Sequence, residues 1–191
     1  MFNGARTEAG QREERAGMEG KGGLARPSKG RAVAWMGLLA AVGTLASHVF
    51  AIPVGPVRVF PVQHAINVVA GVLLGPGPAA AIALVVSLLR NMLGLGTLFA
   101  FPGSIFGALL AAAAYRATGR TVAAAVGEVI GTGIIGALAA FGMARFLLGQ
   151  EAAAAAFVVS FMASSAAGAL IGLAVLKAVE RGAGQSGRAG G

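Results

Sequence analysis

The few polar side chains in the apolar part of this sequence fall into three short groups. They are Gln63, His64 and Asn67; Arg90 and Asn91; and Glu128 and Thr132. Side chains three or four residues apart share one face of a helix. Amides, an imidazole, a guanidinium and a carboxylate on such faces are suited to hydrogen bonding a small polar ligand.

The usual catalytic and metal-binding motifs are missing from the chain. It has no Asp and no Cys, and Glu128 is the one acidic residue within a predicted membrane helix. Paired-carboxylate catalysis and thiolate metal sites are therefore excluded. No G-x-S-x-G, H-E-x-x-H or G-x-x-x-x-G-K-[ST] motif occurs, so we predict no catalytic residue, no metal, no cofactor and no ATPase activity of the chain itself.

The composition indicates a membrane protein. Of the 191 residues, 57% are hydrophobic and only 12% charged, whereas soluble domains carry about 25% charged residues. Between Ala32 and Leu176 too few polar residues exist to cover a water-facing surface, which excludes a soluble enzyme and a disordered protein. The net charge of +8 could indicate nucleic acid, but the basic residues flank apolar runs, as in membrane proteins, so no nucleic acid is expected.

The hydropathy pattern predicts an all-α membrane protein with six transmembrane helices in one compact bundle. A bilayer core of about 30 Å needs roughly 20 apolar residues per helix. The second to fourth predicted helices are shorter, so loops or neighbouring helices must shield their ends from lipid. The six segments are 32–52, 62–74, 79–93, 102–116, 121–148 and 152–179.

The basic residues predict the orientation of the bundle. With six spans, most of the 15 basic residues fall on the side of the two termini, which places both termini in the cytoplasm of a multi-pass cell-membrane protein. Residues 1–31 and 181–191 are rich in Gly and charge and are predicted to be disordered tails. Residues 32–180 form the predicted substrate-binding domain.

Two segments on the predicted outer side are too apolar for free loops. Residues 53–61 contain three prolines, and residues 94–103 contain three glycines and two phenylalanines. We expect both segments to fold over the helix ends as a lid. An apolar pocket with a few polar groups is the usual composition of a ligand site.

The predicted substrate-binding residues combine the lid aromatics with the polar groups. We expect Phe60, Phe99 and Phe101 to enclose a ring and the amides and His64 to hydrogen bond it. The full set is Arg58, Phe60, Gln63, His64, Asn67, Arg90, Asn91, Phe99, Phe101, Glu128 and Thr132. Gly37 and Ala41, spaced four apart in the first helix, are predicted to dock a partner helix.

Other readings of these residues remain open at this point. Arg90 and Glu128 are also explained as a structural ion pair that fixes two helices. A metal-ion importer would use His64 with His48, although two histidines make a poor ligand set. An intramembrane enzyme would use Ser104 and His64, but nothing in the sequence orients that pair.

Several segments, in order, resemble the ThiW family. They are Val54-Gly-Pro-Val-Arg-Val-Phe-Pro-Val-Gln-His-Ala-Ile-Asn67, Leu73-Leu-Gly-Pro76, Leu89-Arg-Asn-Met-Leu-Gly-Leu-Gly-Thr97, Phe101-Pro-Gly-Ser104 and Gly127-Glu-Val-Ile-Gly-Thr-Gly-Ile-Ile-Gly136. The likeness covers about residues 33–180. ThiW proteins are substrate-binding S components of energy-coupling factor transporters, associated with uptake of the thiamine precursor hydroxyethylthiazole.

The resemblance implies a membrane subunit that captures a small neutral heterocycle from outside. It further implies a transmembrane coupling subunit and two cytoplasmic ATPase subunits as partners within the lipid bilayer, which agrees with the missing ATP-binding motif. An S component for another small vitamin or precursor is the main alternative.

Overall fold

Six helices and one short β-hairpin make up the part of the chain that the computed structural model describes, which is residues 27–50, 52–54, 57–151 and 153–186. Side chains within these ranges are described except at positions 48, 52–54, 57–58 and 183–186. The helices are α1 (Lys29–Val49), α2 (Pro61–Leu73), α3 (Pro76–Met92), α4 (Ala100–Thr118), α5 (Thr121–Leu147) and α6 (Ala154–Ser186). The prediction of six helices is confirmed.

We predicted that the first helix continues to residue 52. Instead, α1 ends at Val49, and a short hairpin lies between α1 and α2. Strand β1 (Ile52–Val54) pairs antiparallel with β2 (Val57–Val59), and Ile52 lies opposite Val59. Pro53 accounts for the difference, because the residue before a proline is sterically pushed towards extended backbone. The hairpin therefore begins where α1 can no longer continue.

Three helices, α3, α4 and α6, are longer than the sequence predicted, and α4 spans Ala100–Thr118 instead of 102–116. α3 begins at Pro76 instead of residue 79, because proline is favoured at the first position of a helix, and Gly75 with φ 86° makes the turn before it. α6 continues to Ser186, so residues 181–186 are helical rather than part of a disordered tail. Residues 1–26 and 187–191 of the predicted tails lie outside the described residues.

Within the described residues, three helices are long and apolar enough to cross a membrane, and the shortest helix is enclosed by its neighbours. The long spans lie in α1, α5 and α6, whereas α2 and α3 have 13 and 17 residues. Eleven residues of α2 are buried, because α2 packs against all five other helices. Neighbouring helices, rather than lipid, thus surround the shortest segment of the bundle.

Close helix packing is possible because small residues lie at the crossings. A Cβ at Gly71 of α2 would stand 3.0 Å from the backbone nitrogen of Ala112 in α4. Val68, Ile82 and Leu176 fill the space beside this crossing and are almost completely buried. The apolar core therefore joins α2, α3, α4 and α6 at one end of the bundle.

α5 contains two π-helical segments. Residues Gly131–Gly136 and Met143–Leu147 are π-helical, whereas the remaining residues are α-helical. The first π-helical segment begins three residues after Glu128 and contains Thr132. Local π-helical winding is frequent at functional sites.

Candidate functional site

A cavity of about 530 Å³ opens at the end of the bundle where α2, α4 and α6 begin and α3 ends. Its volume falls within the range of small-molecule sites. The wall consists of Phe60, Gln63, His64, Arg90, Gly94, Leu95, Gly96, Thr97, Phe99, Ala100, Ala156, Phe157, Ser160, Phe161 and Ser164. The wall is largely apolar and aromatic, with a small number of polar groups.

Beneath one side of this wall lies the Glu128 cluster, which we define as His64, Asn67, Glu128 and Thr132. Glu128 Oε1 lies 2.8 Å from His64 Nδ1, accepts a hydrogen bond from Asn67 Nδ2 at 3.2 Å, and lies 2.9 Å from Thr132 Oγ1. Glu128 and Thr132 have no exposed surface. One buried carboxylate oxygen therefore organises side chains from α2 and α5.

Glycine at position 107 makes room for this carboxylate. A Cβ placed on Gly107 of α4 would collide with Glu128 Oε2 and Thr132 Oγ1. Thr132 Oγ1 also lies 2.9 Å from the carbonyl oxygen of Gly103. The Glu128 cluster thus packs directly against the backbone of α4.

A second group of contacts, the Arg90 cluster, consists of Phe60, Gln63, Arg90 and Leu95. The Arg90 guanidinium donates hydrogen bonds to Gln63 Oε1 and, at 3.2 Å, to the carbonyl oxygen of Leu95. Its central carbon lies 4.3 Å from the centre of the Phe60 ring, a cation–π contact. Arg90 therefore joins the ends of α2 and α3 to the loop that lines the cavity.

The interpretation of Arg90 and Glu128 as an ion pair is wrong. Glu128 is paired with His64, and Arg90 is bonded to Gln63 and Leu95. α3 and α5 share no extended contact in the described part of the chain, because α2 and α4 pack against both of them. The two charged groups are held by different neighbours at different places around the cavity.

A chain of hydrogen bonds connects the two clusters through α2, α3 and α4. Gln63 Nε2 donates to Ser87 Oγ at 3.1 Å, and Ser87 Oγ lies 2.8 Å from Ser104 Oγ. Asn67 Nδ2 also donates to the carbonyl oxygen of Ser104 at 3.1 Å. The polar side chains of α2 are therefore committed to the protein itself, apart from one side of the His64 ring.

The sequence-predicted residues are divided by the structure into three sets. Phe60, Gln63, His64, Arg90 and Phe99 line the cavity, whereas Asn67, Glu128 and Thr132 are buried behind its wall. Asn91 and Phe101 are not among the lining residues. The side chain of Arg58 lies outside the described residues.

Asn91 is hydrogen-bonded to its own helix and to the loop that follows it. Its Nδ2 donates to the carbonyl oxygens of Ser87 at 2.8 Å and Thr97 at 3.0 Å. Residues 94–97 of the predicted lid do line the cavity. Asn91 thus fastens this loop to α3 instead of facing the cavity.

The start of α6 supplies five lining residues that the sequence analysis missed. Phe157 packs edge-on against Phe99 with ring centres 5.1 Å apart. The ring centre of Phe161 lies 6.1 Å from that of Phe157. Ser164 Oγ accepts a hydrogen bond from the Phe60 backbone nitrogen at 3.2 Å. Phe157, Phe161 and Ser164 recur along one helix face, but the apolar sequence around them does not distinguish a cavity wall from a lipid-facing surface.

Neither alternative chemistry finds support in the side-chain arrangement. Ser104 Oγ lies within hydrogen-bond distance of Ser87 Oγ and of the Ala100 carbonyl oxygen, and no hydrogen bond joins it to His64. Among the described residues, no group of three or more potential metal ligands occurs. The side chain of His48 is not described.

The fold is that of a multi-pass helical membrane protein with a cavity of small-molecule size at one end of its bundle. The family model described as "Thiamine-precursor transporter protein (ThiW)" matches residues 33–182. The chain therefore belongs to the ThiW family, which confirms the resemblance and makes it a component of thiamine-precursor transport. No curated protein and no solved structure matches it significantly.

Proposed function

We propose that this chain is the substrate-binding membrane subunit of an energy-coupling factor importer and that it captures hydroxyethylthiazole. The observation that carries the proposal is the cavity itself, which combines phenylalanine walls with one side of the His64 ring. An apolar enclosure suits a thiazole ring, and a single polar contact suits its hydroxyl group. The family described for thiamine precursors supports this class of substrate.

The structure changes the roles that we assign to individual residues. Phe60, Phe99 and Phe157 surround the ring, and His64 contacts the hydroxyl group. Gln63 and Asn67 use their amides within the protein. We therefore assign them to holding the wall and not to direct contact.

Direct binding to the purified protein tests this proposal. We expect saturable, one-to-one binding of hydroxyethylthiazole in calorimetry. His64→Ala removes the polar contact and Asn67→Ala removes a hydrogen bond to Glu128, so each variant should bind at least tenfold more weakly. Leu88→Ala, at an exposed position of α3, is the control and should bind normally. Unchanged affinity in both site variants would overturn the assigned site.

We place the cavity on the outer side of the membrane and both termini in the cytoplasm. Arg116, Arg120 and Lys177 lie at the end of the bundle away from the cavity, together with the start of α1. Positive charge favours the cytoplasmic side. The chain contains no cysteine, so single-cysteine variants can report the orientation. A membrane-impermeant maleimide applied to intact cells should label Gln150→Cys and not Thr118→Cys; the reverse pattern would overturn the orientation.

We also assign the exposed face of α1 to the coupling subunit, which would act with two cytoplasmic ATPase subunits. Gly37 and Ala41 are exposed, and nothing lies within 4 Å of a Cβ built on Gly37. The α1 span is the least buried of the three long spans. Small residues allow a second helix to approach closely.

Bulky substitutions on α1 test the docking surface. Gly37→Leu and Ala41→Leu should reduce co-purification with the coupling subunit from the same organism while thiazole binding stays normal. Ala174→Leu on the exposed face of α6 is the matched control and should co-purify normally. Undiminished co-purification of both α1 variants would exclude this face.

A further inference from the structure

The geometry of the Glu128 cluster determines which nitrogen of His64 carries a hydrogen. Asn67 Nδ2 lies 3.1 Å from the Ser104 carbonyl oxygen, which can only accept, so the orientation of the Asn67 amide is fixed. The same Nδ2 donates to Glu128 Oε1. An oxygen that already accepts from Asn67 and lies beside Thr132 acts as an acceptor towards His64 as well. His64 Nδ1, 2.8 Å away, is therefore the donor in this pair.

The second ring nitrogen of His64 is then the one on the cavity side. His64 lines the cavity, and Nδ1 is directed away from it at the buried Glu128. In the part of the chain that the structure describes, Nε2 has no hydrogen-bond partner. A neutral imidazole with its hydrogen on Nδ1 presents a bare lone pair at Nε2.

The charge already present on this wall favours the neutral ring. Arg90 lines the same cavity and has no carboxylate partner among the described residues. A second cation beside it, at a depth within the membrane span, would be costly.

Of the neighbouring polar groups on the wall, the Gln63 amide and the Ser160 hydroxyl hydrogen are bonded within the protein. Gln63 donates to Ser87 and accepts from Arg90. Ser160 Oγ donates to the Ala156 carbonyl oxygen of its own helix at 2.7 Å, and Ser164 Oγ accepts from the Phe60 backbone. His64 Nε2 thus stands out as an acceptor that a ligand can use.

We propose that Glu128 is a positioning residue that holds His64 in the tautomer with a bare Nε2, and that the cavity thereby selects ligands that donate a hydrogen bond at this point. A free hydroxyl group would be accepted, whereas an ether at the same place offers only a second acceptor and would be rejected. This inference rests on the proposed function in one respect, because it takes the cavity as the binding site.

The tautomer can be measured without any ligand. Nuclear magnetic resonance of the full chain carrying ¹⁵N-labelled histidine distinguishes the two ring nitrogens, and His48→Gln assigns the two histidines. The expected spectrum shows a hydrogen on Nδ1 of His64 and a bare Nε2. A hydrogen on Nε2, or on both nitrogens, would overturn the inference whatever the protein binds.

Ligand selectivity is the second readout, and it separates positioning from mere structure. Wild-type protein should bind hydroxyethylthiazole about tenfold or more tightly than its methyl ether, the worth of one hydrogen bond. Glu128→Gln keeps an oxygen at this place, because Asn67 Nδ2 needs an acceptor there, so the preference should persist without the charge. Glu128→Met removes the acceptor beside Nδ1, so the hydrogen should no longer be confined to Nδ1 in the resonance spectrum.

Thr132→Val is the matched control for this selectivity. It removes a neighbour of the same carboxylate oxygen without exchanging donor and acceptor at His64, so it should weaken binding of both ligands and keep their ratio. A hydrogen that stays on Nδ1 in Glu128→Met would contradict the positioning role. If wild-type protein binds neither compound, the proposed function fails, and the resonance measurement still decides the tautomer.

Discussion

The two halves of α2 are both buried, but they are stabilised in different ways. The first half carries Gln63, His64 and Asn67, and each of these side chains is hydrogen-bonded to another helix. The second half carries Val68 and Val72, which pack into the apolar core. One short helix thus joins a polar site to a close-packed anchor.

The difference shows how a site with few polar residues can be held in place within a membrane. Lipid gives no hydrophobic reason for helices to associate, so packing of small residues must supply the contact. The apolar half of α2 provides that contact at Gly71 and Ala112. Hydrogen bonds in the other half then fix the direction of each side chain, because an unpaired polar group in this environment is costly.

Loss of the Glu128 carboxylate should have the largest effect. Glu128→Leu leaves His64 and Asn67 without their shared acceptor, and each buried donor left unpaired costs about 1–3 kcal/mol. We expect no detectable thiazole binding and early thermal aggregation in detergent. Fluorescence-detected size exclusion after heating, alongside calorimetry, checks both. Normal binding by a stable Glu128→Leu protein would show that the polar half is not needed.

A methyl group at position 107 should have the next largest effect. Gly107→Ala forces its Cβ against Glu128 and Thr132, and overpacking of this kind costs roughly 1–3 kcal/mol. Gly77→Ala, where nothing lies within 4 Å of the added Cβ, is the matched control. We expect weaker thiazole binding only in Gly107→Ala; equal affinities would contradict the tight fit of α4 against the cluster.

Truncation in the apolar half should lower stability and leave ligand preference unchanged. Val68 has no exposed surface, and Val68→Ala removes two buried methyl groups at about 0.8 kcal/mol each, with a cavity term in addition. The midpoint of thermal unfolding should fall by several degrees. The affinity ratio between hydroxyethylthiazole and its methyl ether should match that of the wild-type protein; a changed ratio would mean that the two halves are not separate in function.

The aromatic wall from α6 should give the smallest of these effects. Phe157→Leu keeps an apolar side chain but loses the edge-on contact with Phe99, which is worth about 0.5–1.5 kcal/mol. We expect thiazole affinity to fall by up to about tenfold and thermal stability to change little. Phe146→Leu, at a highly exposed position of α5, is the control. Equal affinities of the two variants would remove α6 from the site.

The sequence was sufficient for the fold class and for five of the residues that line the cavity. Apolar runs separated by glycine, proline and charge predicted six helices, and scarce polar residues in such runs identified His64 and Glu128. Their partners were not predictable, because depth along a helix does not say which helices are neighbours. Arg90 and Glu128 were candidates for one ion pair, yet they lie on helices that share no extended contact among the described residues.

The contribution of α6 was missed for a related reason. Phe157 and Phe161 occur in a helix that is apolar on every face, so the sequence offers no contrast between a cavity wall and a lipid-facing surface. The hairpin of β1 and β2 was hidden in the same way, since its valines fit a helix as well as a strand. Only Pro53 and Pro56 distinguish that segment in the sequence, and we predicted it to be part of a lid.

A structure of the protein saturated with hydroxyethylthiazole tests the central claim most directly. The account predicts ligand density in the cavity, with the hydroxyl oxygen within hydrogen-bond distance of His64 Nε2 and the ring among Phe60, Phe99 and Phe157. Density at another surface of the bundle, or an empty cavity at saturating ligand, would contradict it.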